Sequence, residues 1–215
     1  MAKGAAEWLA PGMPPGWTLT VVGMPARERR DAEPLDGLDD RALVAACLAG
    51  RIEGFDLVVE RHKRSVYHLC FRFVGRHEDA ADLSQEVFLR AYRGLKRFRG
   101  DASLSTWLYR IGVNVCLNRV SARQPLQASL DDVPHLAGVS SDPAAGLIRA
   151  QQAARVRAAV ARLPRKQRAT LILRVYHDLS HQEIATALGT SVGAAKANFF
   201  HALGNLKKLL AAEAR

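Results

Sequence analysis

The 215-residue chain has only three cysteines, Cys47, Cys70 and Cys116; none forms a CxxC pair or joins histidines at zinc-site spacing. That excludes a disulfide-stapled secreted fold and a zinc finger. The reading is three reduced thiols in apolar surroundings, as in a cytosolic protein. Long hydrophobic runs are also missing. The longest, Ala42–Ala49, falls far short of the roughly 20 residues a membrane span needs. Near the start, a lone Lys3 and the breaks at Pro11, Pro14 and Pro15 leave no segment of signal-peptide type. There is no glycine-rich phosphate loop and no nucleophile elbow, and strand signals are nearly absent. Acidic residues are in deficit, with 21 Asp+Glu against 31 Lys+Arg, a net charge of +10. This excess points to a polyanionic partner, nucleic acid first and an anionic membrane surface second. The 48% hydrophobic fraction is ordinary, so a buried core is expected rather than wholesale disorder.

The charge lies in blocks. Residues 1–38 carry a net −1, residues 39–125 a net +5, residues 126–148 a net −3 and residues 149–215 a net +9. The first block is broken at Pro11, Gly12, Pro14, Pro15, Gly16, Pro25 and Pro34, and reads as a disordered or regulatory arm holding at most a short strand at Thr18–Val22. The third, over 125–148, reads as a flexible acidic linker. Between them lies a helical region, 39–124. Apolar stripes at three-to-four spacing run through Leu43–Leu48, Phe55–Phe73, Ala80–Leu95 and Leu104–Leu117, with Gly50 and Gly75 as stops. The fold class is therefore all-α, in two small helical domains joined by the linker.

The last block, 149–215, contains a helix-turn-helix. Leu163-Pro164 opens a helix. Ser180-His181-Gln182-Glu183 is an S-x-x-E capping box, Ile184, Ala185 and Leu188 follow, and Gly189 supplies a positive φ in a tight turn. Ser191 caps a second helix over about Val192–Leu210. In such a motif the start of the second helix enters the major groove, which places Gly193, Ala194, Lys196, Ala197, Phe200 and His201 near DNA. Arg162, Arg165, Lys166 and Arg168 add a basic cluster for phosphates. In the first domain, Arg110, Asn114, Asn118, Arg119 and Arg123 are side-chain types that read base edges or phosphates, although a solvated helix face has the same composition.

The order of the motifs is more specific than any one of them. Glu78-Asp79-Ala80-Ala81-Asp82-Leu83-Ser84-Gln85-Glu86-Val87-Phe88-Leu89-Arg90 precedes Ser105-Thr106-Trp107-Leu108-Tyr109-Arg110-Ile111-Gly112-Val113-Asn114, and Leu163-Pro164-Arg165-Lys166-Gln167-Arg168 then leads into the helix-turn-helix. Over residues 39–210 the chain resembles a bacterial RNA polymerase sigma factor of the extracytoplasmic-function group. The resemblance implies a promoter-specificity subunit that is not an enzyme and needs no cofactor or metal. By that match Asp79, Asp82, Gln85, Glu86 and Leu89 dock on core polymerase, whose largest and second-largest subunits are the implied partners. Arg99, Ser105, Thr106, Trp107, Arg110, Asn114, Asn118, Arg119 and Arg123 serve the minus-ten element and the melted strand. Arg165, Arg168, Ser191, Gly193, Ala194, Lys196, Ala197, Phe200 and His201 serve the minus-thirty-five duplex. An anti-sigma protein, often membrane-anchored in the family, is a further implied partner, with the chain itself cytoplasmic and not inserted in the membrane. Two features depart from the family pattern: Ala195 where a larger β-branched residue is common, and Asn198, Phe199, Phe200 and His201 where arginines are.

Two other classes fit parts of the sequence. A conventional helix-turn-helix regulator would dimerise on a palindrome without polymerase, but leaves the string from Glu78 to Arg90 unexplained. A metalloenzyme using His62, His68 and Cys70 would need ligands on one helical face, and positions six apart do not share one.

Overall fold

The structure is a computed structural model and describes residues 35–122 and 143–212. Among these residues there are eight α-helices and no strand: α1 (Asp40–Leu48), α2 (Glu53–Val74), α3 (His77–Gly94), α4 (Leu104–Ala122), α5 (Pro143–Ala161), α6 (Arg165–Tyr176), α7 (His181–Leu188) and α8 (Val192–Ala212). A short 3-10 turn, Leu95–Arg97, follows α3. No described helix is long and apolar enough to cross a membrane. The proposed strand at Thr18–Val22, the residue Arg123 and the linker up to 142 lie outside the described residues.

The helix ends follow local chemistry. Asp39 accepts the Ala42 N–H at 2.7 Å and so starts α1. Gly75, at φ 75°, ends α2 in a left-handed turn that a residue with a Cβ rarely adopts. Ser103 accepts the Thr106 N–H at 3.1 Å at the start of α4. The capping box of α7 is complete: the Glu183 N–H donates to Ser180 Oγ at 3.2 Å, and the Ser180 N–H to Glu183 Oε2 at 2.7 Å. Those bonds to its charged form hold the Glu183 carboxyl below its ordinary pKa. Ser191 accepts the Ala194 N–H at 3.1 Å and opens α8.

In the N-terminal unit α2, α3 and α4 pack around Phe55, Leu69, Phe73, Val87, Phe88 and Leu108. The crossing of α2 and α4 is close. A Cβ added to Gly112 would fall 2.6 Å from Leu69 Cδ2, so only glycine fits there without displacement. Asp40 ties α1 to α2 by bonds to Arg61 at 2.7 Å and His62 at 2.9 Å. This unit begins before residue 39. Leu35 is 7% exposed in the core, and the Leu38 carbonyl accepts from Arg61 at 2.9 Å, so 35–38 belong to the folded unit rather than to the arm.

In the C-terminal unit α8 packs against α5, α6 and α7. Asn205 donates to Gln167 at 2.8 Å between α8 and α6, and Arg174 donates to the Leu179 carbonyl at 2.8 Å across the α6–α7 turn. Asp178 in that turn has φ 53°, a left-handed conformation that Asp tolerates better than most residues. Helix α5 begins at Pro143, inside the stretch assigned to the linker, and carries Gly146 within it. Glycine and proline punctuation suggested a loop there, whereas proline suits a first helical turn and one glycine costs a helix only about 1 kcal/mol.

The two units touch. Arg168 of α6 donates to the Phe73 carbonyl at the end of α2, and its guanidinium lies 5.4 Å from the Phe73 ring. Arg72 sits 4.0 Å over the Tyr176 ring, His177 packs on Tyr109 with ring centroids 4.6 Å apart, and α7 lies along α4.

Candidate nucleic-acid interface

Helix α3 begins with acidic groups and ends with basic ones, the order a helix dipole favours. Its outer face carries Asp82, Gln85, Glu86 and Leu89 at helical spacing i, i+3, i+4 and i+7. Asp82, Gln85 and Leu89 are exposed and Glu86 is half-buried. Glu86 is held by Arg90 at 2.6 Å, and Leu89 is a large apolar side chain left 41% exposed. Asp79 is different. It is 7% exposed in the first turn, with Arg76 at 3.9 Å, so it supports the helix start instead of joining the outer row.

Helix α4 presents Arg110, Asn114 and Asn118 to solvent on one stripe, with Trp107 half-buried one turn earlier. Trp107 rests on Phe98, ring centroids 5.3 Å apart, which fixes its indole against the loop that carries the exposed Arg97 and Arg99. Arg97, Phe98, Arg99, Trp107 and Arg110, but not Asn114 or Asn118, line a cleft of about 390 Å³ that Thr186 and Ala187 of α7 also border. Arginines beside aromatic rings are the combination that holds unstacked bases. Thr106 was expected among the nucleic-acid contacts. It is 3% exposed, and its hydroxyl lies 2.8 Å from Ser103 Oγ within the cap of α4. Ser105 and Arg119 are half-buried. The signal in the sequence is Ser103 itself, a favoured N-cap residue directly before the first residue of α4.

On α8 the exposed residues Gly193, Lys196, Ala197, Phe200 and His201 share one face, with Phe200 75% exposed. Ala195 and Ala202 are fully buried on the opposite face. Ala195, small where the family commonly has a β-branched residue, lies at the inside of α8. Ser191 and Ala194 form the first-turn cap of this helix. Arg165 is exposed at the start of α6. Arg168, grouped with it from sequence, is not. It is 6% exposed in the seam between the units, with the Phe73 and Ala161 carbonyls as acceptors, and burial lowers its pKa. In this form it does not reach solvent.

The thiols behave as expected for core groups. Cys70 and Cys116 are fully buried, and Cys47, half-buried, has its pKa pushed up to about 11 chiefly by desolvation, which makes it a poor nucleophile at neutral pH. His62 is committed to Asp40, and among the described residues no group of three or more His, Cys, Asp or Glu could hold a metal ion.

The sequence and fold were compared with known proteins. The Sigma-70 region 2 family model matches residues 58–125, and the Sigma-70, region 4 model matches residues 153–206. The chain is 33% identical over 180 residues to the RNA polymerase sigma-H factor of Pseudomonas aeruginosa, covering 80% of this chain and 93% of that one. It is 35% identical over 199 residues to the ECF RNA polymerase sigma factor SigM of Mycobacterium tuberculosis, covering 92% of this chain and 93% of that one. Among solved structures, CnrH in complex with the cytosolic domain of CnrY matches with a TM-score of 0.62 and 26% identity, over 80% of this chain and 97% of that one. The two regions fall on the two helical units, the relatives are matched over almost their whole length, and the chain belongs to the extracytoplasmic-function RNA polymerase sigma factors.

Proposed function

We propose that the chain gives core RNA polymerase its promoter specificity by holding two DNA readers on one scaffold. Asp82, Gln85, Glu86 and Leu89 form the docking row for core enzyme. Trp107, Arg110, Asn114 and Asn118, with Arg97 and Arg99 beside them, take the minus-ten element and its melted strand. Lys196, Ala197, Phe200 and His201 lie in the major groove of the minus-thirty-five element, with Arg165 on a phosphate. The observation that carries this reading is the exposure pattern. On three separate helices most of the residues matched by family resemblance, among them Asp82, Gln85 and Leu89, Arg110, Asn114 and Asn118, and Lys196, Ala197, Phe200 and His201, are exposed at helical spacing on one face, with Asp79 and Thr106 the buried exceptions.

The mechanism involves no covalent chemistry. Duplex contacts by α8 supply affinity, much of it through phosphates and therefore sensitive to salt. Unstacking a base costs a few kcal/mol, and stacking on an aromatic ring with hydrogen bonds to base edges offsets it, so strand opening follows from tighter binding to the melted form. Lys196 suits a guanine or a phosphate, and Ala197 and Phe200 suit a thymine methyl group. The chain acts in the cytoplasm and is restrained by an anti-sigma partner. The solved relative CnrH, bound by the cytosolic domain of a second protein, supports that reading.

The test is transcription in vitro with purified core polymerase on sheared genomic DNA. Discrete transcripts that need the protein are expected, with shared sequences upstream of their starts. Sequence-specific binding to a palindrome without core enzyme, and no such transcripts, would instead identify an ordinary regulator.

A further inference from the structure

Two thiols meet at the crossing of α2 and α4. Cys70 of α2 and Cys116 of α4 are both fully buried, and a hydrogen bond joins them. The helices come this close because Gly112, one turn before Cys116, has no Cβ to hold α4 off Leu69, the chain neighbour of Cys70. The bond to Cys116, and then burial, hold the Cys70 thiol well above its ordinary pKa, so Cys70 keeps its proton and donates it to the Cys116 sulfur. A cation completes the group. The buried guanidinium of Arg168 interacts electrostatically with Cys116. Two of its nitrogens donate to the Phe73 and Ala161 carbonyls, while its Nε, also buried, has no hydrogen-bond partner among the described residues. Packing alone gives no reason for that spare donor, because an unpaired buried N–H costs stability. A positive charge with a free donor beside a sulfur is a setting that stabilises an oxygen or a negative charge formed on it.

We propose that Cys70 and Cys116 are a peroxide-sensitive dithiol that closes to a disulfide across α2 and α4 and reopens on reduction. Hydrogen peroxide is the oxidant that suits the site. It is small and uncharged and can enter a packed core, whereas a bulky disulfide such as oxidised glutathione cannot reach sulfurs with no solvent exposure. Cys116 gives up its proton and its sulfur attacks one peroxide oxygen. An S–O bond forms, the O–O bond breaks, and the departing hydroxide takes up that proton as water. The sulfenic oxygen on Cys116 accepts from Arg168 Nε. The Cys70 sulfur then attacks the Cys116 sulfur, the S–S bond forms, and the sulfenic hydroxyl leaves with the Cys70 proton as a second water. Two electrons pass from the sulfurs to the peroxide. The bond encloses residues 71–115 and with them the whole of α3, so oxidation stiffens the unit from which α3 and α4 present their outer faces. None of this depends on what those faces bind.

Disulfide mapping of the full-length wild type tests the proposal. The reduced, folded chain is exposed to graded hydrogen peroxide, then denatured, alkylated, digested with trypsin and weighed by mass spectrometry. A linked pair of the peptides 65–72 and 111–119, lighter by two hydrogens than their sum, is expected, and dithiothreitol should abolish it. Cys47 should remain free to alkylate. The oxidised chain should melt higher than the reduced one by about 5 °C or more. In Cys70→Ala, which cannot close the bond, dimedone should label a sulfenic acid on Cys116. Arg168→Met, which keeps the bulk and removes the donors, should slow linkage about fivefold. The mapping itself uses no variant, so it decides the matter even where a variant fails to fold. A folded chain that gives no linked peptide overturns the proposal, and so does a link that appears only in urea, which would mark two core thiols meeting after unfolding. A melting temperature that falls on oxidation would show that the bond does not fit the crossing and overturns it as well. Linkage by oxidised glutathione as fast as by peroxide would overturn the choice of oxidant.

Discussion

The two cores differ in side-chain size. Phe55, Phe71, Phe73 and Phe88 with many aliphatics fill the N-terminal unit, whereas the C-terminal unit, among its described residues, buries no Phe and sets Ala159, Ala169, Ala185, Ala187, Ala195 and Ala202 beside Val160, Leu163, Leu171, Ile172, Leu173, Leu179 and Ile184. Alanines let helices approach closely, as α7 and α8 do around Gly189, but each removes little apolar area from water at about 25 cal/mol per Å². The apolar surface left outside differs accordingly. The first unit leaves Leu48 and Leu89 exposed, and the second leaves Ile148, Val175, Tyr176, Phe200 and Leu203. The contrast suits a division of labour between a rigid platform and a thinner reader that gains burial by leaning on that platform at Arg168, Tyr176 and His177.

Cutting into the larger core gives the largest effect. Phe88→Ala is expected to destabilise the N-terminal unit by about 3–5 kcal/mol, since Phe88 is 1% exposed. Urea melting followed by circular dichroism measures it. A cost below 1 kcal/mol would mean that the α2–α3–α4 core does not carry that unit.

The docking row gives the next effect and falls on the first unit alone. Asp82→Ala with Gln85→Ala removes two exposed polar groups without touching the core. At about 1.5 kcal/mol for each lost hydrogen bond to a charged group, core affinity and the yield of specific transcripts should fall roughly a hundredfold. Unchanged yield would remove α3 from the polymerase interface.

Alanine for glycine should act with opposite sign in the two units. At Gly112 the new methyl group meets Leu69 Cδ2 at 2.6 Å in a side chain that is itself fully buried. Overpacking of that kind costs about 1–3 kcal/mol. At Gly204 in α8 a Cβ meets nothing within 4 Å, so Gly204→Ala should stabilise by about 0.5–1 kcal/mol through helix propensity. Two shifts of the same sign in thermal melts would break the contrast between a tight platform and a loosely packed reader.

How far these features were legible in the sequence follows the same division. Helix stripes, the stops at Gly50 and Gly75, and the capping box at Ser180 were readable because periodicity and capping are local. The outward rows on α3, α4 and α8 were readable once the family resemblance had marked them. The residues that went astray depend on what lies across a gap. Arg168 has the composition of a phosphate contact, and only the Phe73 carbonyl 95 residues away gives it a different place. Thr106 sits beside Trp107 in a string of binding residues, yet Ser103 draws its hydroxyl into a cap. Leu35 fell within the arm assigned to residues 1–38 because a single leucine has no period to reveal its burial.

The seam joining the two units supplies the gentlest perturbation, by pH. His177 is packed on Tyr109, with Tyr176 and Asp178 beside it in the chain and His68 and Arg72 facing it from α2. Desolvation first, and then the positive neighbours His68 and Arg72, lower its pKa from 6.5 to about 4, while Asp178 opposes them. The closed form therefore binds fewer protons at this site than an open form in which His177 regains its ordinary value. Closure is fully supported above pH 6.5 and loses that support as the pH falls from 6.5 toward 4. For a shift of that size the closed-to-open ratio should drop about tenfold between pH 7.5 and pH 5.5. Scattering across that range is expected to show a growing radius of gyration, and His177→Gln, which cannot be protonated, should flatten the response. A response that survives in His177→Gln would place the titrating group elsewhere, with His68 the next to replace. No response in the wild type would mean that the units part too rarely for protonation at their seam to matter, and the leaning of the small-cored unit on the large one would then be a fixed part of the fold.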